Sequence, residues 1–174
     1  MRFPITDKAL KGAIKRYHKS RSIRYGESNG FDPFNPGHVS RVLGVAIESQ
    51  ISAHLFGQES GYTEAGADTD GGYDLEVAGI KWDVKANNIQ NENSWLVAAD
   101  KKEGDSRPDD THFLCVNGVL DADHPNNRSF EIVGWTSMLD LRQNVKVKWY
   151  NFGPYFKITP DDLQSFNDFS TLRF

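Results

Sequence analysis

The chain has 174 residues, of which 38% are hydrophobic and 25% are charged, which fits one globular domain with a core and leaves too little chain for two. A net charge of -4 argues against a protein coated with phosphate-binding cations, and no segment approaches the roughly 18 consecutive apolar residues of a membrane span. The lone Cys115 cannot form an intramolecular disulfide. We therefore expect a cytoplasmic protein with no membrane partner and no export signal.

The positive charge is concentrated near the N-terminus. Residues 8–24 contain seven of the 20 Lys and Arg residues and no acid. Ala9, Ala13 and Tyr17 recur at helical spacing within them, so the pattern predicts a basic amphipathic helix at about 7–24. Its cations suit contact with nucleic-acid phosphates, although a solvated helix face would look the same. The candidate contacts are Lys8, Lys11, Lys15, Arg16 and Lys19.

The next predicted element is a mostly buried helix, in the stretch HVSRVLGVAIESQISAHLFG at 38–57. Glu48 lies in its middle, with no cation one turn away. A carboxylate on a buried helix is costly unless a group outside the helix pairs with it, and a metal site is one such group. The alternative is that Glu48 faces solvent along a strip with Arg41 and Ser52.

The stretch GGYDLEVAGIKWDVKAN, at 71–87, reads as a β-hairpin with a two-residue turn at Ala78-Gly79. The alternation puts apolar residues on one face and sets Asp74 opposite Asp83 on the other, with Lys85 beside them. Two opposed carboxylates repel, and a divalent cation between them would reverse that sign. The wet face of an ordinary surface hairpin carries the same residue types, so the hairpin alone leaves both interpretations open.

The remaining elements predict a mixed sheet flanked by helices. Apolar runs at 94–99, 111–120 and 129–135 read as strands, and TSMLDLRQ reads as a helix capped by Thr136. Thr159, followed by Pro160, predicts another helix start. A loop after the first of these strands holds Lys101 and Lys102, which are further candidates for phosphate contact or simply solvated cations.

A helix with GVAIE at 44–48, then Asp74, then DVK at 83–85, resembles the E...D...(D/E)xK pattern of the PD-(D/E)XK nuclease superfamily. The resemblance covers about residues 38–140 and implies a single nuclease-like domain over 1–174. It also implies a restriction endonuclease-like αβββαβ core, with a mixed central sheet flanked by helices. Tyr73 stands where the family name has Pro. By this resemblance Glu48, Asp74 and Asp83 would be metal ligands, with the Val84 carbonyl a further ligand, and Lys85 would orient or activate water.

The resemblance further implies a DNA nuclease that depends on Mg²⁺, with Mn²⁺ as a substitute, and we expect an endonuclease. Two alternatives stay open: a nuclease acting on RNA, and a catalytically inactive nucleic-acid-binding or assembly protein on the same fold. A homodimer would let two active sites cut two strands, but no self-complementary surface is evident in the sequence.

Overall fold

The computed structural model describes residues 2–25, 31–55, 74–77, 80–88, 93–99, 108–121 and 127–165. This part of the chain is a mixed α/β structure with three α-helices and two β-sheets. The helices are α1 (Asp7–Tyr25), α2 (Pro36–Leu55) and α3 (Met138–Asn144). The strands are β1 (Arg2–Pro4), β2 (Leu75–Val77), β3 (Ile80–Asn88), β4 (Trp95–Ala98), β5 (His112–Leu120), β6 (Arg128–Ser137), β7 (Val147–Tyr150) and β8 (Gly153–Ile158).

The main sheet has five strands in the order β1-β6-β5-β3-β2. β3 and β5 run parallel, whereas the other neighbouring pairs are antiparallel, so the predicted mixed sheet is confirmed. A parallel pair needs a long connection, and this one contains β4, which joins the second sheet, β4-β8-β7. No helix lies between β3 and β5 among the described residues, so the full αβββαβ order stays a prediction.

The two long helices cover one face of the main sheet. Ala9, Ala13 and Tyr17 of α1 are buried while the lysines between them are exposed, which confirms the predicted amphipathic helix. α2 packs so closely on β5 that a Cβ at Gly118 would lie 2.8 Å from Ile47 Cδ1. No helix in the described part of the chain is long and apolar enough to cross a membrane.

Two predicted helix starts need correction in detail. The cap of α3 is Ser137, whose Oγ accepts from the Asp140 N–H at 3.0 Å; Thr136, the predicted cap, pairs with Phe113 in the sheet. Thr159 does cap a helical turn that begins at Pro160, but the turn is a single 3-10 turn that ends at Asp162. Residues 147–158, which precede this turn, form the β7–β8 hairpin.

Candidate active site

The β2–β3 hairpin has the predicted register as far as its ladder extends. Leu75 pairs with Trp82, and the next two residues of β2 pair in step with β3. The predicted turn, Ala78-Gly79, lies outside the described residues. The fourth predicted pair, Asp74 with Asp83, is replaced by an irregular contact, in which the Asp74 N–H donates to the Trp82 carbonyl at 2.8 Å. Asp74 therefore turns out of the ladder at the edge of β3.

The Asp74 carboxyl group is held against that edge. Its Oδ2 accepts from the Val84 N–H at 2.7 Å. A residue in a strand directs its N–H and C=O to the same neighbour, so the Val84 carbonyl is directed to this edge as well. Burial, followed by the charges of Glu48 and Asp83, raises the pKa of Asp74 from 3.8 to about 8; the Val84 hydrogen bond and Lys85 oppose this shift. Asp74 is therefore a carboxyl group that a neighbouring cation would readily ionise.

Asp83 and Lys85 lie on the opposite face of β3 from Val84 and form an ion pair. Lys85 Nζ is 2.5 Å from Asp83 Oδ1, and Asp83 is 4% exposed. Lys85 is paired in register with Cys115, and both charges influence that residue. Burial raises the pKa of the Cys115 thiol, Asp83 raises it further, and Lys85 lowers it. Cys115 is thus a neutral buried thiol, and it lies next to the Asp83–Lys85 ion pair on the neighbouring strand.

Glu48 approaches the same site from α2. Its side chain is only 19% exposed, so it does not form a solvated strip with Arg41, which is exposed. Arg16 of α1 lies beside it, with Nη1 3.9 Å from Glu48 Oε2. A Cβ on Gly44 would meet Glu48 Oε1 at 3.9 Å and no nearer described atom, so Gly44 and Glu48 lie on the same side of α2.

Arg16 is the site residue that the sequence pattern failed to identify as such. Its contact with nucleic acid stays a prediction, and the structure in addition places it beside a carboxylate of the site. Its position between the buried Ala13 and Tyr17, on the side of α1 that meets α2, was the available signal. Lys8, Lys11 and Lys15 are exposed on α1, and Lys19 falls within the same helix. Lys101 and Lys102 lie outside the described residues.

The donor set of the site fits a hard divalent cation. Glu48, Asp74 and Asp83 come from three separate segments, and the first and third both raise the pKa of the second by charge repulsion. Carboxylate and carbonyl oxygens are the ligands that Mg²⁺ prefers. Among the described residues, however, no three His, Cys, Asp or Glu side chains are already placed to bind one metal ion. Asp83 bonds to Lys85 and Asp74 to Val84, so cation binding would require these side chains to exchange partners.

Comparisons with known proteins give no matching family model, no similar curated protein and no similar solved structure.

Proposed function

We propose that this protein is a Mg²⁺-dependent deoxyribonuclease that hydrolyses phosphodiester bonds, with a restriction endonuclease-like core. The observation that carries the proposal is that Asp74, held at the edge of β3, is repelled by the charges of both Glu48 and Asp83, and that Lys85 pairs with Asp83 beside it. Mutual repulsion of these carboxylates destabilises the folded state, and replacing one of them with a neutral residue would relieve it. Stability alone therefore does not explain the cluster.

Each residue has a role that follows from its position. Glu48, Asp74 and Asp83, with the Val84 carbonyl, would hold Mg²⁺. When bound, the ion would supply positive charge against the charge developing on the phosphate oxygens and would lower the pKa of a bound water. Lys85 would orient the attacking water or contact a non-bridging phosphate oxygen. The new bond joins water oxygen to phosphorus as the bond to the leaving sugar oxygen breaks. The attacking water loses a proton to the solvent, and the leaving sugar oxygen takes up a proton from solvent water to become a hydroxyl group.

The cations around the site suit a phosphate backbone. Lys8, Lys11 and Lys15 are exposed on α1, the helix that also places Arg16 beside Glu48. Neutralising phosphates with such cations gives an affinity that falls as salt rises. DNA bound along α1 would therefore lie near Glu48.

The test is a cleavage assay on supercoiled plasmid, linear duplex DNA, single-stranded DNA and RNA, each with Mg²⁺, Mn²⁺ or EDTA. We expect cutting of DNA that disappears in EDTA and falls by at least about a hundredfold in Asp83→Ala and in Lys85→Ala. Lys146→Ala is the matched control, because Lys146 is exposed between α3 and β7 and is not one of the site residues.

Equal activity in Asp83→Ala and the unmodified protein would contradict the assignment of the site. Cleavage of RNA in preference to DNA would replace the proposed substrate. Metal-independent binding of nucleic acid without cleavage of any substrate would instead favour the catalytically inactive alternative.

A further inference from the structure

The second sheet has two chemically different faces. Residues paired across antiparallel strands point to the same side, and Trp95, Val97, Phe156 and Ile158 form the buried side. On the other side, Leu96 pairs with Lys157, and Tyr155 pairs with both Ala98 and Lys148. Tyr150 follows on the same side by alternation. We call this side the outer face; its described residues are Leu96, Ala98, Lys148, Tyr150, Tyr155 and Lys157, and none of these six is acidic.

The aromatic rings of the outer face form a cluster with Phe152 in the turn of the hairpin. The rings of Tyr150 and Phe152 stack with centroids 5.3 Å apart and planes inclined by 9°. Tyr155 meets both rings edge-on, at 6.1 Å and 5.0 Å. Phe152 is nevertheless 58% exposed, so the cluster presents ring surface to solvent.

A cavity of about 460 Å³ joins the outer face to the candidate active site. Lys157, Tyr150 and Leu96 line it from the second sheet. Lys85 and Asn87 line it from β3, and Ser40 lines it from α2. Ser40 lies two helical turns before Glu48, with Gly44 between them, so the cavity and the carboxylates share one strip of α2. Lys85, the lysine of the candidate site, also lines this cavity.

The chemistry of the cavity matches a nucleotide. Two lysines supply positive charge for phosphate, Ser40 and Asn87 supply hydrogen-bonding groups, and Tyr150 supplies a ring for stacking. A volume of about 460 Å³ is in the usual range for a small-ligand site. Protein rings can stack on base faces only where the bases are not already stacked in a duplex, which selects an unpaired strand.

We propose that the outer face and this cavity bind single-stranded DNA and lead an unpaired strand to Lys85 and the carboxylates. Tyr150 and Phe152 stack bases, and Lys157 contacts the backbone phosphate next to the one at Lys85. The inference rests on the proposed nuclease function and specifies its substrate as single-stranded DNA, or the unpaired end of a duplex.

Binding is measured in EDTA, so that cleavage plays no part, by fluorescence anisotropy with a labelled oligothymidylate of about 12 nucleotides. We expect Phe152→Ala to raise Kd about tenfold, a factor equivalent to about 1.4 kcal/mol and in the range for one stacked base. Lys157→Gln should flatten the slope of log Kd against log salt by about 0.7, as expected for one lost phosphate contact on a single strand.

Trp149→Ala is the matched control, because Trp149 is 80% exposed in the same hairpin but pairs with Pro154, on the side away from the outer face. Its Kd should stay within about twofold of the unmodified value. Equal losses in Phe152→Ala and Trp149→Ala, an unchanged salt slope in Lys157→Gln, or tighter binding of duplex DNA or RNA than of the oligothymidylate would each overturn the inference. Metal-dependent cleavage by the unmodified protein, with unaltered oligothymidylate binding in Phe152→Ala and Lys157→Gln, would refute this inference alone.

If both variants instead show the expected losses in binding, but the unmodified protein cleaves no substrate, the proposed nuclease is refuted.

Discussion

Asp74 should make the protein less stable as the pH rises, and the substitution Asp74→Asn should remove this effect. The folded state holds the proton of Asp74 up to a pKa of about 8, whereas an unfolded carboxyl group releases it near 3.8. Below pH 3.8 the carboxyl group is protonated in both states, so the folded protein keeps its full stability. As the pH rises from there through about 8, the unfolded state gives up its proton more readily than the folded state, and stability is lost progressively.

The slope for one proton is about 1.4 kcal/mol per pH unit. Between about pH 5 and about pH 7, the titration of Asp74 should therefore reduce the free energy of unfolding by roughly 2.7 kcal/mol. Asparagine does not titrate, so the stability of Asp74→Asn relative to the unmodified protein should improve by that amount over the same interval.

Urea unfolding in EDTA at several pH values measures the difference directly, provided that the m-values agree. Asp161→Asn is the control, because Asp161 is exposed and lies outside the site. Saturating Mg²⁺ should stabilise the unmodified protein more at high pH than at low pH, because it binds the ionised carboxylates. If the unmodified protein and Asp74→Asn lose stability in parallel from about pH 5 to about pH 7, the burial and repulsion assigned to Asp74 are wrong.

Two further predictions concern the elements that support the site. Gly118→Ala should destabilise the protein by about 1–3 kcal/mol in urea unfolding, because the added methyl group meets Leu43 and Ile47 of α2. Gly12→Ala, where a Cβ meets no described atom within 4 Å, should instead stabilise it slightly through helix propensity, and equal effects would contradict this packing. Ser137→Ala should cost about 1 kcal/mol by removing the cap of α3, and a loss of only a few tenths would mean that the cap contributes little.

Local patterns predicted the elements that have a clear period. The apolar spacing of Ala9, Ala13 and Tyr17 predicted α1, and the strict alternation around Trp82 predicted the hairpin register. Both patterns can be read from one short stretch of sequence, because the contacts within a helix or a hairpin join residues that are close in sequence. The same alternation did not predict the irregular contact of Asp74, since a side chain that bonds to the Val84 N–H competes with the ladder.

Partners distant in sequence were the part that could not be predicted. The apolar run of β4 predicts a strand, but nothing in it states that the strand leaves the main sheet to pair with β8. A run such as RFP at β1 is too short, and ends in a proline that suits only an edge strand, so it gave no signal. The contact of Arg16 with Glu48 depends on how α1 crosses α2, which is set by packing and not by either helix alone.

α2 joins the stability of the fold to the geometry of the site. On one side Leu43 and Ile47 are buried against Gly118, where no further atom fits. On the other side, a Cβ at Gly44 would meet only Glu48 Oε1 among the described atoms within 4 Å. The helix is therefore fixed by one face and carries a carboxylate on another. Because packing fixes the backbone of α2, Glu48 stays near enough to Asp74 for its charge to raise the pKa of that carboxyl group. The same rigidity would keep Glu48 in place for a cation, so loosening α2 should relieve the repulsion and weaken cation binding together.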